Sequence, residues 1–395
     1  MRALSLATLF AALSGFGVII VAGRSLGEEL YDQFMAYWGL FFALTGLLDG
    51  LMHETTRGIS AKSHQRTDAT RPAATRPWRF GAVIGITVAV LALLTAPLWV
   101  PLLIDDGRSP AVLMAIGLLS YTFQTVLSGV LSGLKAWPRY ATMVAIDSGI
   151  RLVLALIAWA AGWGLTGFFV ITVIGALSWL IVLRPQHLRA AVDVSPGVFA
   201  RRLGWAMAAS GSSAALITGF PVLMKITSDD AASLTGASLS GVIAAVTFTR
   251  APILVPVQRF QSALIVRFVD QRTRSALLMP IGLVLAVGLL GAVAAWLIGP
   301  WLMVVILGEG FWVSGPMLAA LTFASACTGS LMITGAATLA GERHRLYVLG
   351  WVIATLVAFG VLLVPLPLEI GVATALMIGP VAGAVVHLST LPSDV

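Results

Sequence analysis

Apolar residues form long, nearly uninterrupted runs along the chain, and short polar stretches separate the runs. A helix that crosses the hydrocarbon core of a bilayer needs about 20 mostly apolar residues, so each run of that length predicts a membrane-spanning helix. The predicted spans, twelve in number, lie at 3–22, 31–53, 80–103, 110–132, 140–161, 164–183, 204–225, 236–258, 276–298, 311–337, 346–365 and 369–388. The sequence GPWLMVVILGEGF is predicted either to extend the ninth span or to separate it from the tenth.

The first run follows Arg2, as the core of a signal peptide would, but such a core has only about 7–15 apolar residues. The run is longer, so we interpret it as the first spanning helix. Composition agrees, because 58% of the 395 residues are hydrophobic, 10% are charged, and the mean hydropathy is +0.97. Soluble proteins devote about a quarter of their residues to charge. The sequence therefore predicts an all-α polytopic membrane protein.

The predicted spans fall into two groups of six. The hydrophilic stretch 184–203 divides the chain into equal halves, and SLATLFAALSGFGVII and RLGWAMAASGSSAALI, which open the halves, place small residues at comparable positions. Six-plus-six repeats are common in transporters. We therefore predict an N-terminal lobe at 1–190, a cytoplasmic connecting loop at 191–203 and a C-terminal lobe at 204–395.

The charges of the loops predict the orientation. The net charge is +7 and the pI is near 10.2. If both termini are cytoplasmic, most cations fall in inner loops, and the outer loops hold only Arg24, Arg108 and Lys225 together with most of the loop acids. The positive-inside rule thus predicts cytoplasmic termini, and it explains the basic character without nucleic-acid binding.

The eighth span contains the sequence TRAPILVPVQRFQ, which is polar for its position. Arg250 lies near mid-span, and on a regular helix Gln258 and Gln261 share a broad face with it. Such an arginine costs about 2.5–3.5 kcal/mol on insertion scales. Pro252 and Pro256 remove amide donors and predict a bend. We interpret the span as a bent helix lining an aqueous cavity; the alternative is an arginine held by a helix-end carbonyl or a buried acid, for packing only.

Two further spans carry charged residues spaced four apart. Asp147 and Arg151 lie within reach of each other on one helix face, either as a self-neutralised pair or as a pair that exchanges partners when substrate or a cation arrives. Asp49 and His53 have the same spacing, and a carboxylate beside an imidazole is a candidate proton or Na⁺ site. An interfacial pair at the cytoplasmic end is the alternative.

The seventh span combines a helix breaker with a terminal cation. Pro221 predicts a bend or hinge. Lys225 follows at the outer end, either as a cation that faces the substrate or as one that snorkels to the headgroups.

The sequence offers no motif for covalent chemistry. It contains no GxxxxGK[ST], HExxH or CxxC pattern, and Cys327 is the only cysteine, which excludes an intramolecular disulfide. Asp105 and Asp106 are similar to an Asp-rich glycosyltransferase motif, but their loop is very short. We predict that the protein is not an enzyme and uses no cofactor or metal beyond Na⁺ or H⁺ coupling.

Several stretches together resemble bacterial polysaccharide flippases. AGRSLGEELYDQFMAYWGLFFALTGLLDGLMHETTRGI (22–59) is similar to their first outer loop and second helix, and LSGLKAWPRYATMVAIDSGIRLVLALI (131–157) to the inner loop before their fifth helix. TRAPILVPVQRFQSALI (249–265) resembles their eighth helix, and VVILGEGF (304–311) the signature after their ninth. This family is the oligosaccharide flippase branch of the multidrug/oligosaccharidyl-lipid/polysaccharide (MOP) exporter superfamily, which is related to MATE transporters and lipid II flippases.

The resemblance implies two six-helix lobes around a central cavity, alternating access, and a polyprenyl-(di)phosphate-linked oligosaccharide moved across the bacterial cytoplasmic membrane for cell-envelope polysaccharide assembly. Relatives hold the lipid diphosphate with cationic residues, for which Arg250, Arg24 and Arg151 are the candidates here, since guanidinium forks match that geometry. Membrane lipids and other polysaccharide-assembly membrane proteins are the expected partners, and nucleic acid is not.

Other functions stay open. A MATE-like antiporter for small cations requires an acidic cavity, which Asp49 and Asp147 favour and the arginines oppose. A membrane glycosyltransferase or a scaffold without transport is less favoured.

Overall fold

The computed structural model describes residues 2–64, 75–105, 109–192, 194–228, 231–270, 275–341 and 343–389. Most of these residues are helical, as the apolar runs predict. The α-helices in chain order are α1 Arg2–His64, α2 Pro77–Leu94, α3 Ala96–Leu103, α4 Ser109–Gly133, α5 Trp137–Ala161, α6 Leu165–Ile174, α7 Trp179–Val182, α8 Pro185–Leu188, α9 Pro196–Ile217, α10 Phe220–Ser228, α11 Leu239–Asp270, α12 Ser275–Leu307, α13 Gly315–Ala340, α14 His344–Leu362 and α15 Leu368–Leu388.

Ten helices in the described part of the chain are long and apolar enough to cross a membrane, or eleven if α9 and α10 form one broken span. The longest, α1, is interrupted at Gly27, where φ is 67° and ψ is −176°, a conformation that glycine adopts more readily than other residues. Separating α1 at Gly27 gives one span more. The predicted fold class, an all-α polytopic membrane protein with about twelve spans, is confirmed, whereas the orientation of the termini stays a prediction.

The helix bounds refine the predicted spans. The third is two helices, α2 and α3, that meet at Thr95, because a proline at the start of α3 lacks the amide needed to continue the first helix. The stretch GPWLMVVIL belongs to α12, which ends at Leu307 and is followed by a short 3₁₀ turn at Glu309–Phe311. The ninth predicted span is therefore extended, which was one of the two alternatives.

The described residues group into two compact units by their contacts. One comprises the chain up to Leu26 together with Ala36–Ala214, and the other comprises Gly27–Met35 together with the chain from Ala215. The predicted connecting loop at 191–203 is shorter than expected, since α9 begins at Pro196 and Phe199 is buried in the first unit. The predicted start of the second lobe, residue 204, therefore lies inside a helix that groups with the first unit as far as Ala214.

The segment before α9 is fastened to the first unit by a buried histidine. His187 accepts a hydrogen bond at Nδ1 from the backbone N–H of Arg184 (3.2 Å), and the indole of Trp78 donates to its carbonyl oxygen (2.9 Å). Nη1 of Arg139 lies 3.4 Å from its Nε2. Burial, followed by the charges of Arg139 and Arg184, lowers the pKa of His187 below its usual range. The neutral imidazole is therefore the favoured form.

In the second unit, α13 lies at the centre and α12 at the surface. The sequence of α13 is rich in Ala, Gly, Ser and Thr, small side chains that let neighbouring helices approach closely. It packs against α11, α12 and α15, and most of its residues are buried. By contrast, α12 is apolar on all sides and exposes Leu290 and Leu297, as expected for a helix that faces lipid.

Candidate functional site

Arg250 caps a broken helix. The chain leaves helical geometry between the end of α9 at Ile217 and the start of α10 at Phe220. Pro221 has no N–H with which to reach the carbonyl four residues earlier, that of Ile217. Nη1 of Arg250 supplies the missing donor at 3.0 Å, and it lies 3.4 Å from the carbonyl oxygen of Leu216. A cation at these carbonyls is also favoured by the partial negative charge at a helix C-terminus.

The guanidinium of Arg250 is buried, and no acid in the described part of the chain neutralises it. It lies over the ring of Phe220, with 5.0 Å from Cζ to the ring centroid, and the residue is 7% exposed. Among the described residues no carboxylate pairs with it, and its buried Nη2 has no hydrogen-bond partner. The predicted alternative, an arginine held by a helix-end carbonyl, therefore applies to Nη1. Nη2 has no hydrogen-bond acceptor in the described part of the chain.

The two glutamines predicted to share a face with Arg250 are not gathered around it. Gln258 is exposed and Gln261 is half-buried. Helix α11 continues through Pro252 and Pro256 as one element, and both prolines are exposed. Arg250 is therefore buried while the two glutamines are not, although all three residues lie on α11.

Lys225 forms a buried ion pair. Its Nζ lies 2.8 Å from Oδ2 of Asp32, and the two side chains are 9% and 10% exposed. The backbone N–H of Asp32 donates to Oγ of Ser240 (3.1 Å), whose hydroxyl donates in turn to the carbonyl oxygen of Glu28. The snorkelling interpretation of Lys225 is therefore wrong, because a nearby acid offsets its charge inside the second unit.

Asp147 and Arg151 form the ion pair that their spacing predicts. Nη2 of Arg151 lies 3.0 Å from Oδ1 of Asp147, and Nη1 donates to Oδ2 at 3.0 Å. Nε of Arg151 donates to the carbonyl oxygen of Thr172 (3.1 Å), and the guanidinium lies 5.1 Å from the ring centroid of Phe42. A Cβ at Gly175 would clash with Oδ1 of Asp147 and lie 2.6 Å from Cζ of Arg151, so in this arrangement the pair packs against a glycine.

Asp49 and His53 do not contact each other. Oδ1 of Asp49 accepts a hydrogen bond from the hydroxyl of Tyr121 at 3.0 Å, and Asp49 is half-buried. His53 is exposed, and its Nδ1 lies 3.4 Å from Oγ of Ser210. The structure thus does not form the predicted carboxylate–imidazole pair, and Asp49 keeps a phenol as its partner instead.

The remaining candidate, Arg24, is exposed near the end of the first half of α1, just before the interruption at Gly27. Two residues that the sequence interpretation passed over complete the contacts of the candidates: Asp32 pairs with Lys225, and Tyr121 bonds Asp49. Neither partner could be read from local spacing, because each lies far from its partner along the chain.

The fold is that of MOP-superfamily transporters. The chain is similar to an inward-facing multidrug resistance MATE family transporter of this superfamily, with a TM-score of 0.74 and 17% identity over 96% of this chain and 94% of the other. It is also similar to the lipid II flippase MurJ in an inward closed conformation, with a TM-score of 0.71 and 12% identity over 99% and 87%. A MOP superfamily transporter from Pyrococcus furiosus, described as having a binding pocket of reverse polarity, gives a TM-score of 0.64 and 16% identity over 99% and 95%. The chain therefore has the fold of these transporters, and membership of the polysaccharide flippase branch stays a prediction.

The chain belongs to the family of two Mycobacterium tuberculosis proteins (strain ATCC 25618 / H37Rv), uncharacterized proteins Rv1510 and Rv3630. It is 39% identical to the first over 394 residues, 98% of this chain and 90% of that protein. It is 39% identical to the second over 388 residues, 96% and 89% of the two chains. Mycobacterium bovis has a relative, uncharacterized protein Mb3654, with 39% identity over 393 residues, 98% and 90% of the two chains. No family model matches the sequence.

Proposed function

We propose that this chain is a flippase that moves a polyprenyl-(di)phosphate-linked oligosaccharide across the bacterial cytoplasmic membrane by alternating access, for assembly of cell-envelope polysaccharide. The observation that supports it most is Arg250, a buried arginine in a spanning helix for which the described residues provide neither a paired carboxylate nor a hydrogen-bond acceptor at Nη2. A cation in this position is costly unless an anion offsets it. An anionic headgroup that passes through the protein is such a partner.

Arg250 suits a phosphate better than a lysine would. Its guanidinium presents several donors in a rigid plane, so one nitrogen can be fixed by the protein while another binds a ligand oxygen. Here Nη1 is held by the carbonyl of Ile217, and the ring of Phe220 supports the plane. The free donor is thereby oriented before the ligand arrives, which reduces the entropy that binding must offset.

Each other cationic candidate supports the proposal less. Arg151 and Lys225 are paired with Asp147 and Asp32, and Arg24 is exposed. We propose Asp49 as the group that takes up H⁺ or Na⁺, because it is a half-buried carboxylate in a spanning helix and accepts a hydrogen bond from a neutral phenol, that of Tyr121. Membrane lipids and other polysaccharide-assembly membrane proteins are the proposed partners.

The proposal is tested by depleting the protein in its native host and identifying the lipid-linked sugar that accumulates on the inner leaflet. Complementation then uses Arg250→Ala, Arg250→Lys and, as a matched control, Arg201→Ala, since Arg201 is an exposed arginine outside these contacts. We expect Arg250→Ala to abolish rescue, Arg250→Lys to restore it in part, and Arg201→Ala to rescue fully. Full rescue by a well-expressed Arg250→Ala protein would refute the role of Arg250.

A second candidate function is an antiporter for small cationic compounds, which is favoured by Asp49, a carboxylate that accepts from the Tyr121 hydroxyl and has no cationic partner among the described residues. In that case Asp49→Asn should abolish efflux of cationic dyes from loaded vesicles, and Arg250→Ala should leave the efflux intact. If the protein is a flippase, Arg250→Ala should abolish its function, and the wild-type protein should not export the dyes. One pair of variants therefore separates the two functions.

A further inference from the structure

A buried histidine lies where α13, α14 and α15 meet in the second unit. His387 is in the last turn of α15, and its exposed fraction is 0%. Its ring lies parallel to that of Tyr347, with an interplanar angle of 10° and 6.1 Å between the centroids. A Cβ at Gly350 would clash with Nε2 of His387, so the ring fills space that a side chain on α14 would otherwise occupy. This titratable group takes no part in the proposed handling of the headgroup.

Both ring nitrogens of His387 face oxygen atoms. Nε2 lies 3.2 Å from the carbonyl oxygen of Tyr347 on α14. A carbonyl oxygen only accepts hydrogen bonds, so Nε2 is the nitrogen that carries a hydrogen in the neutral ring. Nδ1 lies 3.0 Å from the hydroxyl oxygen of Thr334 on α13, and this oxygen lies 3.0 Å from the carbonyl oxygen of Leu331. The hydroxyl can therefore point its hydrogen at the ring or at that carbonyl.

The hydroxyl of Thr334 serves two protonation states of the ring. When the imidazole is neutral, Nδ1 is an acceptor and the hydroxyl donates to it. When the imidazole is protonated, Nδ1 is a donor, and the hydroxyl accepts from it while donating to the carbonyl of Leu331. Rotation of one hydroxyl thus leaves both ring nitrogens bonded in either state. His187 differs, because the groups at its ring nitrogens, the N–H of Arg184 and the guanidinium of Arg139, are both donors.

Few charged or titratable groups surround His387. The helices that pack most closely against α15 are α13 and α14. Apart from His387, the charged and titratable residues of these three helices are Cys327, His344, Arg345, Tyr347 and Glu369. Tyr347 faces the ring, whereas His344 and Arg345 are exposed at the start of α14. Cys327 lies about two turns before Thr334, and Glu369 lies at the opposite end of α15.

A proton on His387 is therefore stabilised by hydrogen bonds and not by an acid. No carboxylate among the described residues pairs with the ring. The carbonyl of Tyr347 and the hydroxyl of Thr334 accept from its two nitrogens, and the aromatic ring of Tyr347 lies beside it. An imidazolium without a counterion inside a membrane protein is costly, so the proton can also be released.

We propose that His387 is a proton-binding site of this protein, in which Thr334 and the carbonyl of Tyr347 hold the imidazolium. A buried histidine in a spanning helix is suited to take up and release H⁺ near neutral pH. The site is separate from Asp49, which belongs to the first unit. The inference goes beyond the proposed function, since proton binding here does not depend on which substrate is moved.

The first test observes the protonation of the ring. Full-length protein with ¹⁵N-labelled histidine is reconstituted in lipid nanodiscs, and the NMR signals of His387 are assigned with His387→Gln. At about pH 8 we expect Nε2 to carry a hydrogen and Nδ1 to carry none, and by about pH 5 we expect both to carry one in the folded protein. A ring that stays neutral in the folded protein over this range would overturn the proposal, because His387 is then a structural residue.

The second test alters the hydroxyl. Thr334→Ser keeps it, and Thr334→Val removes it at nearly the same side-chain size. Thr338→Val is the matched control, because Thr338 is also buried on α13 and its hydroxyl donates to the carbonyl of Gly335. We expect Thr334→Val to weaken proton binding by about tenfold or more, since a hydrogen bond to a charged group contributes more than one to a neutral group. Thr334→Ser and Thr338→Val should titrate like the wild type.

Failure of this inference differs from failure of the proposed function. Thermal unfolding verifies that each variant is folded, and a folded Thr334→Val protein that titrates like Thr334→Ser overturns the proposed site. These titrations need no substrate, so a neutral His387 leaves the complementation result for Arg250 unaffected. Full rescue by Arg250→Ala refutes the headgroup site and leaves the titration of His387 unaffected.

Discussion

Arg151 in the first unit and Arg250 in the second have nearly the same surroundings, apart from one group. Each lies in a spanning helix, each donates to a backbone carbonyl, and each guanidinium lies about 5 Å from a phenylalanine centroid. Arg151 also donates from Nη1 to Oδ2 of Asp147, and its Nη2 lies 3.0 Å from Oδ1 of the same carboxylate, whereas Arg250 has no such partner among the described residues. The difference is that a carboxylate offsets the charge of Arg151, whereas no carboxylate among the described residues offsets that of Arg250, which is why we propose Arg250 as the group that binds an anion.

The contacts of Arg250 show how a buried arginine is stabilised without a carboxylate. A buried cation without an acid needs other favourable contacts, and here the carbonyls freed by a helix break supply them. Pro221 therefore allows this contact, because it leaves the Ile217 carbonyl without its usual donor. In the first unit, Asp147 stabilises Arg151 instead, and the resulting pair has no net charge to attract an anion.

The largest effect on stability is expected when Arg151 loses its carboxylate partner and so resembles Arg250. Asp147→Ala leaves a buried guanidinium without its carboxylate and should lower the free energy of unfolding by about 3–5 kcal/mol. The combined Asp147→Leu and Arg151→Met variant should be close to wild type, since apolar residues of similar size often replace a buried pair at no cost. Thermal unfolding in detergent, followed by tryptophan fluorescence, measures both. An Asp147→Ala protein as stable as wild type would show that the pair does not neutralise itself.

A smaller effect on stability is expected when the backbone N–H that Pro221 lacks is restored. Arg250→Ala alone should destabilise the protein by about 1–2 kcal/mol, because two carbonyls lose a charged donor. In a Pro221→Ala background the restored N–H can serve Ile217, so the same substitution should cost about 0.5–1.5 kcal/mol less. Unfolding of the four proteins in this cycle gives the coupling. Equal costs in the two backgrounds would contradict the role assigned to Pro221.

The smallest effect on stability is expected at His187, a neutral imidazole with Arg139 and Arg184 nearby. The depressed pKa of His187 means that the folded protein binds protons there less readily than the unfolded chain. Stability from this residue is therefore full above the unfolded pKa of about 6.5 and is lost as the pH falls through the folded pKa. The melting temperature should fall on acidification, and His187→Gln should reduce that fall. An unchanged pH profile in the variant would exclude His187 as the cause.

Much of the fold follows from the sequence, because spans are defined by local apolar runs. Arg250 could be singled out by its depth in such a run, and the Asp147–Arg151 pair by helical spacing alone. Both inferences need only the geometry of one helix. The division of the chain was less accessible, since the packing of α9 depends on the helices it meets.

The partners of the candidates could not be predicted for the same reason. Asp32 and Lys225 meet through the packing of two helix segments, and Tyr121 reaches Asp49 from a separate helix. The opposite error occurred for Asp49 and His53, where correct spacing did not produce a contact. Spacing fixes which residues share a face, but the neighbouring helices decide which of them bond.

Gly175 ties the evolutionary fate of three positions together. Since a methyl group there would clash with Oδ1 of Asp147 and with the guanidinium of Arg151, alanine at 175 requires the salt bridge to move or to be lost. We therefore expect homologues to carry either all three residues or none, so that covariation among 147, 151 and 175 marks lineages that retained the neutral pair.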